Sequence, residues 1–435
     1  MLTLHVVSHT HWDREWYHPA ERFRQRLVAL IDELLDDPPP GGRSFLLDGQ
    51  AVVLEDYLEV RPERASELAR LLREGRIEAG PWYVLPDELI PGGEALVRNL
   101  LRGRRVLRAL RAESPPVLYC PDSFGHPAAL PDIARGFQKP VVVLWRGFGG
   151  ARWPRANAVR WRVPSGADVV MYHLTRSGYE LGSSLPSDES AARERWERLR
   201  AEFAEREPVV PELLLNGADH HARQRRLDDA LSTLAATSPP DVIHAGTLAD
   251  FVATVQDRGL ATIPEVGGEL GDSYGYTWTL QGTLATRAPQ KRRYVASERE
   301  LVRDVEPWVA LAAFHRGRSR RPLTLAAWKP LLLCQPHDTL CGCSIDQVAR
   351  AMDGRLESVA TQAEGLREDA ILDLIGHDRE AARDRTDDWQ PVVLIRNRAA
   401  RARSGVAGAE VSVKLRDVPV GPGSAPPGGQ EGAAA

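Results

Sequence analysis

Cysteine and lysine are both scarce in this sequence. Four cysteines among 435 residues (Cys120, Cys334, Cys341 and Cys343) exclude a disulfide framework as the source of stability. The lysines are Lys139, Lys291, Lys329 and Lys414, so nearly all positive charge sits on arginine. That bias reads as codon usage in a GC-rich genome rather than as phosphate-binding chemistry. Neither sign of charge dominates: the net charge of −4 predicts no strong attraction to nucleic acid or to an anionic membrane. No apolar run is long enough to span a bilayer. The first residues lack the basic-then-apolar order of a secretory signal. Together these absences predict a soluble, cytoplasmic protein. The composition, 43% hydrophobic and 27% charged, is that of a globular chain able to bury a large core.

Through the first ~260 residues, short apolar runs alternate with helical patterns, which predicts βαβ units and a parallel sheet, open or closed into a barrel. Strands are expected at 3–8, 44–47, 76–79, 116–119, 140–145, 169–174, 212–215 and 241–244. Helices are expected at 19–36, 62–74, 93–112, 187–206, 224–235 and 247–257. From about 284 the pattern changes to long helices, 284–316, 322–333 and 344–376, with wet faces marked by Arg292, Arg293, Glu298 and Glu300. A helical bundle is the natural reading. Domains are therefore expected over 1–260 and 261–385. Strand-like runs at 392–395 and 409–413 read as the remnant of a β domain over 386–420. A Gly/Pro/Ala-rich tail over 421–435 is expected to be disordered.

Chemistry-bearing residues collect where apolar runs end. His9-Thr10-His11-Trp12-Asp13 follows the first strand, and the C-terminal end of a strand is where β/α folds build active sites. An imidazole and a carboxylate two residues apart can turn toward one point, and that donor set suits zinc. The plain alternative is a surface His pair and a helix-capping Asp. Tyr119-Cys120-Pro121-Asp122-Ser123-Phe124-Gly125-His126 follows another strand, with Asp122 either in a site or as a helix N-cap. Asn216-Gly217-Ala218-Asp219-His220-His221 closes a third. Gln335-Pro336-His337-Asp338 follows an apolar helix that Pro336 ends. Four distant segments thus offer two imidazoles and two carboxylates to one ion, with a carboxylate to spare. Retaining glycoside hydrolysis needs two carboxyl groups. Cys341-Gly342-Cys343 is spaced too tightly for the usual structural zinc pair and reads as two small thiols.

The segments His9–Tyr17, Pro121–His126, Asn216–His220 and Gln335–Asp338 resemble, in order and spacing, the signature segments of glycoside hydrolase family 38. Gly80-Pro81-Trp82-Tyr83-Val84-Leu85-Pro86-Asp87-Glu88 is similar to another. The bacterial branch of mannosidases and mannosylglycerate hydrolases is the nearest match, and the resemblance spans residues 3–380. It implies a seven-stranded β/α barrel followed by a three-helix bundle, and one Zn²⁺ held by His11, Asp13, Asp122 and His337. It implies Asp122 as nucleophile, Asp219 as general acid/base, Trp16 against the sugar, Arg146 near the nucleophile and Asp338 on sugar hydroxyls. The implied substrate is an α-mannoside or a mannosylglycerate-like molecule.

Family members are longer, with β domains beyond the bundle. On that ground the chain by itself is expected to be weakly active or inactive, and its exposed bundle surface favours association with a further copy or aggregation. Two other readings compete. His9-x-His11 also resembles the amidohydrolase pattern, in which both imidazoles bind metal. A sugar-binding remnant without catalysis is the other.

Overall fold

The first strand, β1 (Thr3–His9), carries no acid or amine over seven residues and is buried along almost all of its length. A strand covered on both faces pairs on both edges, and β1 does so. On one edge lies β8 (Glu212–Asn216), in parallel, with Leu4 opposite Glu212 and Ser8 opposite Asn216. On the other edge lie β9 (Val242–Ala245), beside residues 3–6, and β2 (Phe45–Leu46), beside Ser8 and His9. β3 (Ile77–Glu78) extends the sheet beyond β2. A second sheet runs β10 (Glu265–Gly267), β6 (Ala158–Arg162), β7 (Asp168–His173), β5 (Val141–Leu144), β4 (Val117–Cys120). Among the described residues, every pairing between these strands is parallel except β6 with β7.

This computed structural model describes residues 1–385 apart from 164, 258–262 and 273–274, together with 393–397, 401–406 and 408. Among the described residues all eight expected strands form. The sequence reading missed β6 and β10. β6 alternates Arg160 and Arg162 with Val159 and Trp161, and its antiparallel pairing breaks the βαβ rhythm. β10 is three residues long, too short for a periodic signal. The hydrogen-bonded ladders draw two sheets of five strands, where one closed ring of seven was expected. The short helix Val52–Leu58, also unforeseen, follows β2 directly.

The expected helices form with ends shifted by a few residues. Ala20–Asp36 buries Phe23, Leu27, Leu30, Ile31, Leu34 and Leu35, an i, i+3/i+4 stripe facing one core. Ala288–Glu300 runs through a π-turn, Leu301–Val305, into Glu306–Arg316. Arg321–Leu332 and the 29-residue Asp346–Leu374 follow. The long helix packs on each of the others and buries Val348, Met352, Leu356, Val359, Ala363, Leu366 and Ala370 along one seam. Trp328 Nε1 donates to Glu306 Oε1 at 2.7 Å, tying Arg321–Leu332 to Glu306–Arg316.

Buried ion pairs fix the β region. Arg206 donates to Glu212 Oε2 at 2.5 Å with neither side chain exposed, and Tyr172 Oη donates to the same carboxylate at 2.7 Å. Losing one partner of such a pair strands a buried charge, at a cost of about 3–5 kcal/mol.

Met1–His377 forms one compact unit and Asp378–Ala435 a second. In the second, the helix Arg379–Asp384 starts from an Asp378 side chain that accepts from the N–H groups of Glu380 and Ala381. Of the strand-like runs expected there, residues 393–395 form no strand. The run 409–413 and the tail 421–435 lie outside the described residues.

Candidate metal centre and active site

Strand register builds this site. His9 stands opposite Leu46, so two residues further on His11 comes beside Asp48. Ser8 stands opposite Asn216, and the same register carries His11 to Asp219, with which it forms an isolated parallel bridge. The His220 N–H donates to the His11 carbonyl at 2.8 Å. Gly217 permits this approach, because a Cβ there would lie 1.9 Å from the His9 carbonyl oxygen. Asp122 lies two residues beyond the end of β4. The ends of β1, β2, β4 and β8 therefore face one place, which His337 reaches from the first turn of the short helix His337–Cys341.

Two ion pairs lock the first segment in place. Arg355 of the long helix grips Glu15 through both guanidinium nitrogens, at 2.5 and 2.6 Å. Arg14 grips Asp56 at 2.8 and 3.1 Å. The helical region thus holds both His337 and the turn that carries His11 and Asp13. The charged residues of His9–Tyr17 divide between site and scaffold.

At the centre, His11 Nε2 lies 3.1 Å from Asp13 Oδ1, and His337 Nε2 lies 3.4 Å from the same oxygen. His337 Nε2 is also 3.4 Å from Asp122 Oδ2. His11, Asp13 and His337 each present one ligand atom within 4.8 Å of the others. Those three atoms are buried and have no hydrogen-bond partner. Orphaned buried donors and acceptors are costly. Two imidazole nitrogens and a carboxylate oxygen aimed at one point fit a divalent ion of the zinc class. Asp122 stands beside this trio: Oδ1 accepts from Arg146 Nε at 2.5 Å, leaving Oδ2 toward His337.

Burial opposes charge on His11, but Asp48 and Asp13 outweigh it and hold the imidazole well above its usual pKa. Burial likewise opposes charge on His337, and Asp338, Asp122 and Asp13 outweigh it. Burial raises and His11 and His337 lower Asp13, which ends well below the usual carboxylate range. Asp122 is lowered too, with Arg146 and the two imidazoles overcoming burial. Asp219 goes the other way. Burial raises it, His11 opposes, and the nearby Asp13 and Asp122 charges raise it further. Two carboxyl groups with opposed shifts in one site are the pattern of an ionised base or nucleophile beside a protonated acid.

The remaining sequence-predicted residues fall as follows. Trp16 is half-buried, with its ring meeting Tyr17 edge-on at 5.0 Å. Arg146 also donates to the Trp278 carbonyl at 3.0 Å. Asp338 is buried; its Oδ1 accepts from the Cys343 thiol at 2.8 Å and its Oδ2 lies 3.6 Å from His337 Nε2. His220 lies on Phe23, rings stacked at 4.2 Å. His9 does not join the trio. Its Nε2 meets the Tyr179 carbonyl at 2.9 Å, and burial lowers its pKa to about 4 against that hydrogen bond. A site built on both imidazoles of His9-x-His11, as in the amidohydrolase reading, is therefore not formed.

Sequence reasoning missed Asp48. It is fully buried, its Oδ2 lies 3.1 Å from His11 Nδ1, and it accepts from the Trp12 and Gly49 N–H groups and from Gln50. A carboxylate behind a ligand imidazole sets its tautomer and direction. Asp48→Asn is expected to weaken zinc binding by about 10–100-fold, read by competition with a chromogenic chelator. An unchanged affinity would remove Asp48 from that role.

Residues 1–280 match the model of the glycosyl hydrolases family 38 N-terminal domain, and residues 278–374 match that of the alpha mannosidase middle domain. The chain belongs to glycosyl hydrolase family 38. Among relatives of this family, a Halalkalibacterium halodurans protein with the provisional name mannosylglycerate hydrolase is 32% identical over 378 residues, which are 83% of this chain and 41% of that protein. A crystal structure of an Enterococcus faecalis alpha-mannosidase superposes with a TM-score of 0.80 at 31% identity, covering 86% of this chain and 43% of that one. A second Enterococcus faecalis family 38 structure gives 0.69 at 26% identity, covering 86% and 40%. The chain therefore spans about two-fifths of the length of these family 38 relatives. Among the described residues, no helix is long and apolar enough to cross a membrane.

Proposed function

We propose that this chain carries the catalytic centre of a retaining α-mannosidase acting on terminal α-mannosides or a mannosylglycerate-like substrate. The observation that carries the proposal is the convergence of His11, Asp13 and His337, with Asp122 alongside and Asp219 raised in pKa nearby. Membership of family 38 supports the substrate class. The two sheets and the helical run correspond, on this reading, to a β/α barrel and a three-helix bundle, with the functional division falling between 1–260 and 261–385.

Zinc, held by His11, Asp13, Asp122 and His337, would supply a Lewis-acidic clamp for adjacent sugar hydroxyls. The protein's own groups do the rest. Arg146 keeps Asp122 ionised and orients its carboxylate, which attacks the anomeric carbon. Asp219, whose pKa burial and the neighbouring carboxylates raise, gives its proton to the departing glycosidic oxygen. The glycosidic C–O bond breaks as an ester to Asp122 forms. Asp219, now ionised, takes a proton from water, and the water oxygen displaces Asp122 to give mannose with retained configuration. Trp16 and Asp338 complete the sugar's surroundings.

Asp219→Asn tests the acid/base role. General acid catalysis contributes about 10²–10⁴-fold, so hydrolysis of an unactivated mannoside should fall by that range. An aryl mannoside with a good leaving group should form its glycosyl–enzyme ester almost as fast as before, and azide should restore turnover. Equal loss on both substrates, without azide rescue, would assign Asp219 to another role.

A further inference from the structure

The turn after His337 brings together a second set of donors. His337–Cys341 ends at Gly342 in the left-handed region, with φ at +87°. That reversal returns Cys343 to Asp338. Cys343 Sγ lies 2.8 Å from Asp338 Oδ1 and 3.4 Å from Cys341 Sγ, and the three donor atoms lie within 4.8 Å of one another. Asp338 and Cys341 are buried, whereas Cys343 is open to solvent. Two thiols and a carboxylate thus meet in a place that an ion can enter from one side.

The dimensions favour an ion over a disulfide. A tetrahedral zinc-class ion, at ~2.3 Å from sulfur and ~2.1 Å from oxygen, sets its donors roughly 3.6–3.8 Å apart. The two measured edges need to open by less than ~1 Å to reach that spacing. A disulfide would instead draw the sulfurs together to ~2.05 Å and leave Asp338 without its thiol donor. Thiolate ligands also select for zinc-like ions over magnesium or calcium. The close Cys-x-Cys spacing falls short of the usual structural zinc pair, and Asp338 supplies the third ligand.

We propose that Asp338, Cys341 and Cys343 form a second metal site, for a thiophilic divalent cation such as Zn²⁺, Co²⁺ or Cd²⁺, separate from the His11–Asp13–His337 centre and open to solvent at one coordination position. Binding replaces two S–H bonds with two metal–sulfur bonds and releases two protons to water. Asp338 links the two sites, since its other oxygen faces His337 Nε2 at 3.6 Å. Occupancy therefore pulls on a carboxylate that the proposed function places against the sugar, and excess thiophilic metal slows turnover. That consequence rests on the mannosidase reading; the metal site does not.

Cobalt titration of the whole chain, freed of metal and kept reduced under inert gas, tests the site. Co²⁺ bound to nitrogen and oxygen alone gives no thiolate charge-transfer band, so the first centre is silent in that region. Wild type should develop an intense near-ultraviolet thiolate-to-cobalt band that saturates at one equivalent of thiolate-bound cobalt. Cys343→Ser, an exposed change that still donates to Asp338, should abolish it. Cys120→Ser should keep it. No band in wild type, or a band that survives Cys343→Ser, would overturn the site. Mannoside hydrolysis with no band would refute this inference alone; a Cys343-dependent band without hydrolysis would support it and count against the function proposed above.

Discussion

Asp122→Asn is expected to reduce turnover of an aryl α-mannoside by about 10⁴-fold or more, the scale on which enzymes lose a covalent nucleophile. The substitution is nearly isosteric. The amide oxygen can still accept from Arg146, and Asp13 still faces both imidazoles when the Asp122 charge opposite His337 is lost. Unfolding temperature should therefore change little while kcat collapses. A 2-fluoro mannosyl donor, which accumulates the glycosyl ester, should add its sugar mass to wild type on the peptide containing Asp122 and add nothing to the variant. Labelling counts ester formed rather than turnovers, so it reads the nucleophile directly. A kcat within tenfold of wild type, or label on another residue, would take the nucleophile's role from Asp122.

Metal removal is expected to have the second largest effect. A chelator should abolish hydrolysis, and zinc should restore it. The folded state should also lose stability. A ligand present at a thousand times its dissociation constant stabilises by about 4 kcal/mol, so saturating zinc should raise the unfolding temperature by several degrees. His337→Ala removes the one ligand supplied by the helical region and should cancel that zinc-dependent rise. The metal-free protein should stay folded, because the Asp13 carboxylate still faces both imidazoles, at 3.1 and 3.4 Å. Equal melting curves with and without zinc would show that the trio does not hold the ion.

Much of this site was legible in the sequence because one rule generates it. Apolar runs 3–8, 116–119 and 212–215 are each followed within four residues by an Asp or His, and each became a strand whose end faces the centre. Asp48 obeys the same rule, following Leu47 at the end of 44–47. It was passed over because a single Asp before Gly reads as a turn, and only the β1–β2 register puts it behind His11. His9 shows the converse. Alternation along an extended chain would put His9 and His11, two residues apart, on one face, yet the carbonyl that takes His9 belongs to Tyr179, 170 residues away. No local pattern encodes that choice. Glu15 and Arg355 are also distant partners, 340 residues apart, and nothing in either segment announces their pairing.

The fold was legible to a similar depth. Alternation of period gave the eight main strands and the long helices. The strand count depends on β6 and β10, whose short or charged sequences carry little periodic signal. The division into two ladders is a property of twist and pairing that no single stretch of chain contains.

The central claim is that one ion joins side chains from both the β region and the helical region. Anomalous diffraction at the zinc edge, from crystals of this chain soaked in zinc, measures it directly. The account predicts a peak bonded to His11 Nε2, Asp13 Oδ1, His337 Nε2 and Asp122 Oδ2. Density that leaves these four atoms without a shared ion, while zinc binds elsewhere on the chain, would contradict it.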